Sequence, residues 1–189
     1  MPTAARVIEN PVSGERIVIR TTAAQTGGTL LEWDLFLAPG GRVPSSHSHP
    51  RQVETFTVLE GRLRFRIGLR TVVAEPGDTV RVSAGTVHHF ANAGPGTVHV
   101  AVRTEPALDM EDLLATAAAL AQDQYAAGRR LPNLVDLALF VRDFAAEVRA
   151  PVLPPALVAA VLQPVARLAR RFGWDRRYRR ARYADAEPG

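Results

Sequence analysis

The chain has 189 residues, enough for one domain of ordinary size with an appendage, and its 47% hydrophobic and 22% charged residues exclude a disordered protein. It contains no cysteine, which excludes disulfides, a cysteine nucleophile and thiolate metal ligands, so any metal must be held by nitrogen and oxygen. The net charge of +4 arises late in the chain, because residues 167–183 carry 8 arginines against one aspartate, whereas residues 1–166 carry 15 arginines against 16 acidic residues.

The start of the chain, Met1 to Asn10, lacks the basic and then apolar run of a signal peptide. No apolar stretch approaches the roughly 20 residues of a membrane span. A cytoplasmic protein is therefore the simplest expectation.

From Arg6 to about Glu105 the sequence predicts short antiparallel strands, because turn residues such as Pro39-Gly40-Gly41 and Pro76-Gly77 recur at close intervals. The stretch from Arg62 to Ile67 alternates arginines with apolar residues, as a strand with one wet face does. Many short strands without a helical interruption indicate a sandwich or a barrel.

After Pro106 the pattern becomes helical. A first helix is predicted over Leu108–Gly128, a second over Asn133–Arg149 with Asn133 as its N-cap, and a third over Pro155–Phe172. Pro164 is expected to kink or interrupt the third helix. The chain is thus divided into a β part, residues 1–105, and a helical extension, residues 106–189, that ends in an arginine-rich tail.

The stretch from Gly41 to Gly61 contains side chains that can bind a metal. His47 and His49 are two positions apart, so on an extended segment both imidazoles point to one side and can reach one ion. Glu54 is an odd number of positions from His49, and an uninterrupted strand would turn it to the opposite face. A turn is therefore predicted between them, with Pro50 as the break.

A second stretch, Gly77 to Asn92, offers a fourth ligand. His88 and His89 are adjacent on a predicted strand and face opposite sides, so only one of them can join the cluster. Three imidazoles and a carboxylate suit a borderline-soft first-row ion, with room for water or substrate. His89 and His99 are predicted to be surface residues or satisfied core residues.

Together the two stretches resemble the cupin family. Its first motif is glycine, five residues, HxH, three or four residues, glutamate, six residues and glycine, and it is matched by Gly41, His47, His49, Glu54 and Gly61. Its second motif is glycine, five residues, PxG, two residues, histidine, three residues and asparagine, and it is matched by Gly77, Gly85, His88 and Asn92. Ser83 stands where proline is usual, a change that affects the rigidity of the turn more than the ligands.

The resemblance covers roughly residues 28–104. It implies a mainly β fold, a cupin-type double-stranded β-helix (jelly-roll) barrel, followed here by the helical extension. It also implies one divalent transition metal held inside the barrel by His47, His49, Glu54 and His88. We expect Fe(II) first, with Mn(II), Ni(II) and Zn(II) as alternatives.

Side-chain alternation predicts the lining of a pocket beside this metal. Glu54 shares a face with Phe56 and Val58, and His88 shares a face with Phe90 and Asn92. The apolar residues Leu63, Phe65 and Ile67 continue the wall. A small-molecule substrate would then contact Phe56, Val58, Phe65, Phe90 and Asn92. Packing within the barrel core is the alternative role for each of them. No further acid or base is evident from the sequence, although Arg51 and Gln52 lie near the ligands.

The extension carries apolar side chains that need cover. They are Leu134, Leu137, Val141, Phe144, Leu157, Val161 and Leu168. We expect them to pack on the barrel or on the second subunit of a homodimer. The alternative is contact between residues 152–174 and a membrane surface, because arginines accompany the apolar residues there. Nucleic acid is not an expected partner, since no recognised binding motif accompanies the arginines.

These features predict a metal-dependent enzyme that acts on a small organic substrate, with an Fe(II) dioxygenase as the leading hypothesis. One alternative is a redox-neutral isomerase, cyclase or decarboxylase in which the metal acts as a Lewis acid. The other is a non-catalytic barrel that binds a small ligand, because this fold hosts both kinds of protein.

Overall fold

The computed structural model describes residues 6–43, 45–128, 133–151 and 155–183, without the side chains of residues 155, 157 and 159. Within these residues nine β-strands precede four α-helices. The strands are β1 (Val7–Asn10), β2 (Glu15–Thr21), β3 (Leu31–Leu37), β4 (Val53–Glu60), β5 (Leu63–Ile67), β6 (Arg70–Ala74), β7 (Thr79–Val82), β8 (His88–Asn92) and β9 (Val98–Glu105). The helices are α1 (Met110–Ala126), α2 (Leu134–Asp143), α3 (Pro155–Phe172) and α4 (Arg176–Arg182).

The strands form two antiparallel sheets, which confirms the predicted mainly β fold with a helical C-terminal part. One sheet has the order β1-β2-β3-β9-β4-β7 and the other the order β6-β5-β8. Consecutive positions in the central strands β3 and β9 pair without a break from Leu31↔Thr104 to Leu37↔Val98. Alternate side chains of these strands, such as Leu35 and Val100, are completely buried between the two sheets.

Aromatic side chains from both sheets meet in the interior. Phe56 on β4 lies 5.2 Å from Phe65 on β5 and 5.6 Å from Phe90 on β8, measured between ring centroids. All three rings are at most 4% exposed. Tilted and edge-on contacts at these distances are favourable for aromatic pairs, so this cluster joins the two sheets.

The segment before β4 adds to the smaller sheet without forming a named strand. Arg42 pairs with Ala91 and His47 pairs with His88, both in the antiparallel sense. Gly41 begins this segment, and a Cβ atom there would lie only 2.8 Å from the carbonyl oxygen of Ala38 and from a methyl group of Leu37. Only glycine fits at this close approach.

The first two helices begin or end differently from the prediction. The first was predicted from Leu108, but Leu108 has a φ of 46°, outside the helical region, and α1 begins at Met110. The second was predicted to reach Arg149, but α2 ends at Asp143. The chain leaves the helix there because Phe144 is buried and Arg149 pairs with Ser48 of the barrel. The predicted N-cap is confirmed, since the Asn133 side chain accepts a hydrogen bond from the Val135 N–H.

The third helix has the predicted bounds and continues through Pro164. The arginine-rich tail was not predicted to be helical, yet α4 forms within it and packs back on the other helices. Its Tyr178 is buried, and Arg177 forms ion pairs of 3.2 Å with Asp136 and 3.3 Å with Asp123. The tail's arginines therefore compensate acidic residues of α1 and α2.

The predicted apolar surface of the extension is only partly covered. Phe144 is completely buried, whereas Leu134, Leu137, Val161 and Leu168 are 39% to 57% exposed. The side chain of Leu157 lies outside the described residues. A homodimer therefore stays a prediction. Among the described helices, none combines the length and apolar character needed to cross a bilayer.

One polar side chain holds together the loops at the end of the barrel where Gly41 lies. The Asn92 amide nitrogen lies 2.7–3.0 Å from the carbonyl oxygens of Leu37, Ala38 and Gly96, and its oxygen accepts a hydrogen bond from the Gly94 N–H. The side chain is buried and links these loops, and the Ala38 carbonyl also accepts a hydrogen bond from the Gly41 N–H.

Substitution Asn92→Ala is expected to lower the free energy of unfolding by about 2 kcal/mol, because it removes the hydrogen bonds by which a buried side chain links these loops. Urea denaturation measures the change. Arg62→Ala, at an exposed position near the same loop, serves as the control and should change stability by less than about 0.5 kcal/mol. Equal stabilities of the two variants would contradict the structural role of Asn92.

Candidate metal centre

The HxH segment is positioned by backbone hydrogen bonds to the loop and strand of the second motif. The His47 N–H donates to the His88 carbonyl at 3.0 Å, and the His88 N–H donates to the His47 carbonyl at 2.8 Å. The Gly85 N–H donates to the His49 carbonyl at 2.7 Å, and Gly85 has a φ of 76° that glycine adopts without strain. The two histidine-bearing stretches are therefore held directly against each other.

Ser83 stands where the cupin motif usually has proline, and the turn from Ser83 to Thr86 forms without that proline. The Thr86 N–H donates to the Ser83 carbonyl at 3.1 Å, so a backbone hydrogen bond closes the turn.

Glu54 reaches the histidines from the neighbouring sheet. The chain bends at Pro50 and Arg51, and β4 then begins at Val53 with Glu54 facing inward. Glu54 pairs with Val82 on one side and Thr104 on the other, in the interior of the six-stranded sheet. The predicted turn between His49 and Glu54 is thus present and brings both side chains to the same place.

The four predicted ligands converge on one point. The Nε2 atoms of His49 and His88 lie 3.2 Å and 3.1 Å from the same carboxylate oxygen of Glu54. One potential ligand atom from each of His47, His49, Glu54 and His88 lies within 4.8 Å of the others. His47 is the most exposed of the four, so solvent reaches the group from its side.

The outward nitrogens of the three imidazoles fix their tautomers. Each Nδ1 faces a backbone carbonyl, that of Ser45 for His47 at 3.1 Å, that of Glu147 for His49 at 2.6 Å, and that of Thr86 for His88 at 3.1 Å. A carbonyl oxygen can only accept, so each Nδ1 carries a hydrogen. Nε2 then presents a lone pair in a neutral ring and carries a hydrogen only when the ring is charged.

This arrangement suits a bound cation. Nε2 lone pairs of His49 and His88 face a carboxylate oxygen, and acceptors placed together in a buried site repel unless a proton or a metal ion lies between them. His–carbonyl contacts of this kind orient imidazoles that bind metals through the other nitrogen. The four side chains could therefore hold a divalent transition metal, and their nitrogen and oxygen donors fit such an ion.

The electrostatics of the group follow from burial and mutual contact. Burial, together with the neighbouring His88 and His49, lowers the pKa of His47 to about 4. Burial also opposes charge on His49, but the adjacent Glu54 carboxylate raises the pKa of that imidazole overall. Burial would raise the pKa of Glu54, but the charge on His49 and hydrogen bonds from His49 and His88 bring the pKa of this carboxyl below its usual range. Glu54 is thus ionised at neutral pH.

The residues predicted to line the substrate pocket lie below the metal group. Phe56, Val58, Phe65 and Phe90 belong to the continuous hydrophobic core, and the Phe56 ring lies 6.5 Å from the His88 ring. Asn92 lies two positions beyond Phe90 on β8, and its amide contacts the loop carbonyls described above. A contact of these five residues with substrate stays a prediction.

The two histidines assigned other roles lie outside the cluster. His89 faces away from His88, and its Nδ1 lies 3.0 Å from the Ser46 hydroxyl. His99 stacks on Phe36, with ring centroids 4.3 Å apart, and its Nε2 lies 3.2 Å from the Asp34 carboxylate.

One residue that contacts one of the four side chains was not predicted from the sequence. Glu147 supplies the carbonyl that holds His49, and its own side chain is only 4% exposed. It follows His49 by 98 positions, in a segment predicted to be helical. The one signal in the sequence was an acidic residue beside apolar neighbours, which is common on amphipathic helices and therefore not specific.

Comparison with known proteins finds a family similar to the barrel. Residues 33–103 match the family model described as "Cupin domain". No curated relative matches the chain.

Solved structures are similar to this chain at low sequence identity. One is an uncharacterized conserved protein with a double-stranded β-helix domain from Klebsiella pneumoniae, with 19% identity, 53% of this chain and 84% of that chain covered, and a TM-score of 0.46. An RmlC-like cupin from Shewanella frigidimarina has 16% identity, coverage of 59% and 92%, and a TM-score of 0.48. A sugar phosphate isomerase from a cupin superfamily, from Silicibacter pomeroyi, has 20% identity, coverage of 54% and 71%, and a TM-score of 0.47.

The raised pKa of His49 predicts that metal binding releases protons. A metal requires the unprotonated Nε2, so a fall in pH below the pKa of His49 lets protons compete and weakens the apparent affinity, by up to about tenfold per pH unit for one proton. His47, with a pKa of about 4, competes only in more acidic solution. Isothermal titration calorimetry of Zn(II) binding at one pH, in buffers with different heats of protonation, measures the release. A binding heat that is the same in every buffer would contradict the prediction.

Proposed function

We propose that the barrel, of which residues 33–103 match the cupin domain model, holds one divalent transition metal to transform a small organic substrate. The ligands would be His47, His49, Glu54 and His88. The observation that carries the proposal is the convergence of Nε2 atoms on the Glu54 carboxylate while every Nδ1 is engaged by a backbone carbonyl.

The chain's own residues would perform three tasks at this centre. The ligands hold the ion and balance its charge, since one carboxylate and three neutral imidazoles leave a net positive complex. Backbone carbonyls keep the imidazoles in one orientation. The aromatic cluster of Phe56, Phe65 and Phe90 closes the barrel beneath the ligands and excludes water from that side.

Substrate would approach from the side of His47, the most exposed ligand. When bound, Fe(II) would supply open coordination positions for substrate and oxygen, which is the basis for proposing dioxygenase-like chemistry as the first reaction to test. The predicted wall residues Phe56, Val58, Phe65, Phe90 and Asn92 would contribute to substrate contact only where they border this opening.

Metal content is the first test of the proposal. Protein purified under anaerobic conditions is expected to contain close to one equivalent of iron by elemental analysis. His88→Ala should lose most of it, because it removes a ligand and one of the two imidazoles beside the Glu54 carboxylate. The matched control is His89→Ala, one position along the same strand and facing the other way, which should retain the metal.

The outcomes separate the possible reactions. Iron together with oxygen consumption in the presence of aromatic or keto substrates would support the dioxygenase proposal. Zinc or nickel without oxygen consumption would favour redox-neutral chemistry. Failure of the wild-type protein to retain any divalent metal after loading, or equal metal content in His88→Ala and His89→Ala, would overturn the proposed site.

A further inference from the structure

The six residues that follow α2, Phe144–Arg149, belong to the helical extension but lie against the HxH segment. We infer that this docking segment is a working part of the metal centre, in which it positions His49 and so sets the affinity for the ion. The inference rests on the metal site proposed above, and it assigns a role to the extension, which lies outside residues 33–103 of the cupin match.

The docking segment is joined to the HxH segment by three hydrogen bonds. The Ser48 N–H donates to the Arg149 carbonyl at 3.0 Å, and the Arg149 N–H donates to the Ser48 carbonyl at 2.9 Å. The third bond, 2.6 Å long, runs from the His49 ring to the Glu147 carbonyl. The extension thus holds both Ser48, which lies between the two histidines, and His49.

Packing holds the docking segment in place. Phe144 is completely buried in the same hydrophobic core as the barrel residues, and Val148 packs against that core. The Arg182 guanidinium lies 4.8 Å from the centre of the Phe144 ring, and Asp112 holds this arginine through a contact of 2.6 Å. Residues of α1 and α4 therefore secure the segment from its outer side.

The side chain of Glu147 adds a buried negative charge beside the ligand. The residue is only 4% exposed. An anionic side chain in such surroundings attracts a nearby cation more strongly than one in water does. Burial opposes charge on His49, yet Glu54 and, after it, the Glu147 carboxylate raise the pKa of that ring.

A group that orients a metal-binding side chain affects the affinity of the site for the metal. Loss of such a partner typically weakens metal binding by about 10- to 100-fold. Because coupling free energies are reciprocal, bound metal must in turn stabilise the docked position of the segment.

The affinity test uses the full-length protein. Arg149→Pro removes the N–H that donates to Ser48, whereas Arg149→Ala keeps it and makes the same charge change. Competition against a chromogenic chelator for Zn(II) should show affinity at least tenfold weaker in Arg149→Pro and close to wild type in Arg149→Ala. Glu147→Gln, which keeps the carbonyl and removes the charge, should fall between them.

A second measurement covers the case in which Arg149→Pro does not fold. Hydrogen exchange of the wild-type protein should show peptides from residues 144–149 exchanging more slowly with Zn(II) bound, by at least tenfold relative to peptides from α3. Leu139→Ala, a cavity in the helical core away from the segment, controls for general destabilisation and should keep its Zn(II) affinity when folded.

Wild-type protein that binds no Zn(II) would overturn the proposed metal site itself. Wild-type protein that binds Zn(II), with equal affinities for the Arg149 variants and no metal-dependent protection of residues 144–149, would overturn only the role of the docking segment.

Discussion

The structure depends on one electrostatic constraint, the gathering of imidazole lone pairs around a single buried carboxylate. Glu54 and the nearby histidine nitrogens are all acceptors when the rings are neutral, and their outward nitrogens are already bound to carbonyl groups. Such a set is unfavourable in a dry interior without a cation. The surrounding fold must therefore hold these groups together against their mutual repulsion. A bound cation would replace that repulsion with attraction between each group and the ion.

The barrel meets this requirement by placing the ligands on paired elements. His47 and His88 face each other across a reciprocal pair of backbone hydrogen bonds, and Glu54 lies between two partner strands. None of these backbone positions can shift without the loss of ladder hydrogen bonds. The aromatic cluster below fills the interior, so the side chains cannot collapse inward to escape one another.

Much of this could be predicted because it depends on short-range periodicity. Alternation along a strand was enough to bring His47 beside His49, to separate His88 from His89, and to require a turn before Glu54. The end of α2 and the helix α4 could not be predicted, because each is decided by contacts between residues far apart in sequence, such as Arg149 with Ser48. Local propensity favoured helix in the first case, and in the second the run of arginines did not by itself indicate a helix. For the same reason the division of the chain at residue 105 stays a prediction, since Phe144 and Met110 share a hydrophobic core with the barrel.

The contact between His49 and the Glu147 carbonyl also bears on the order in which the protein is made. The strands up to Glu105 leave the ribosome before the helices do, and chains fold from the N-terminus as they emerge. At that stage His49 lacks its partner, which is synthesised 98 residues later. A nascent barrel would thus carry His49 without this carbonyl, and the arrangement of the four side chains described above would be complete only once translation has passed Arg149.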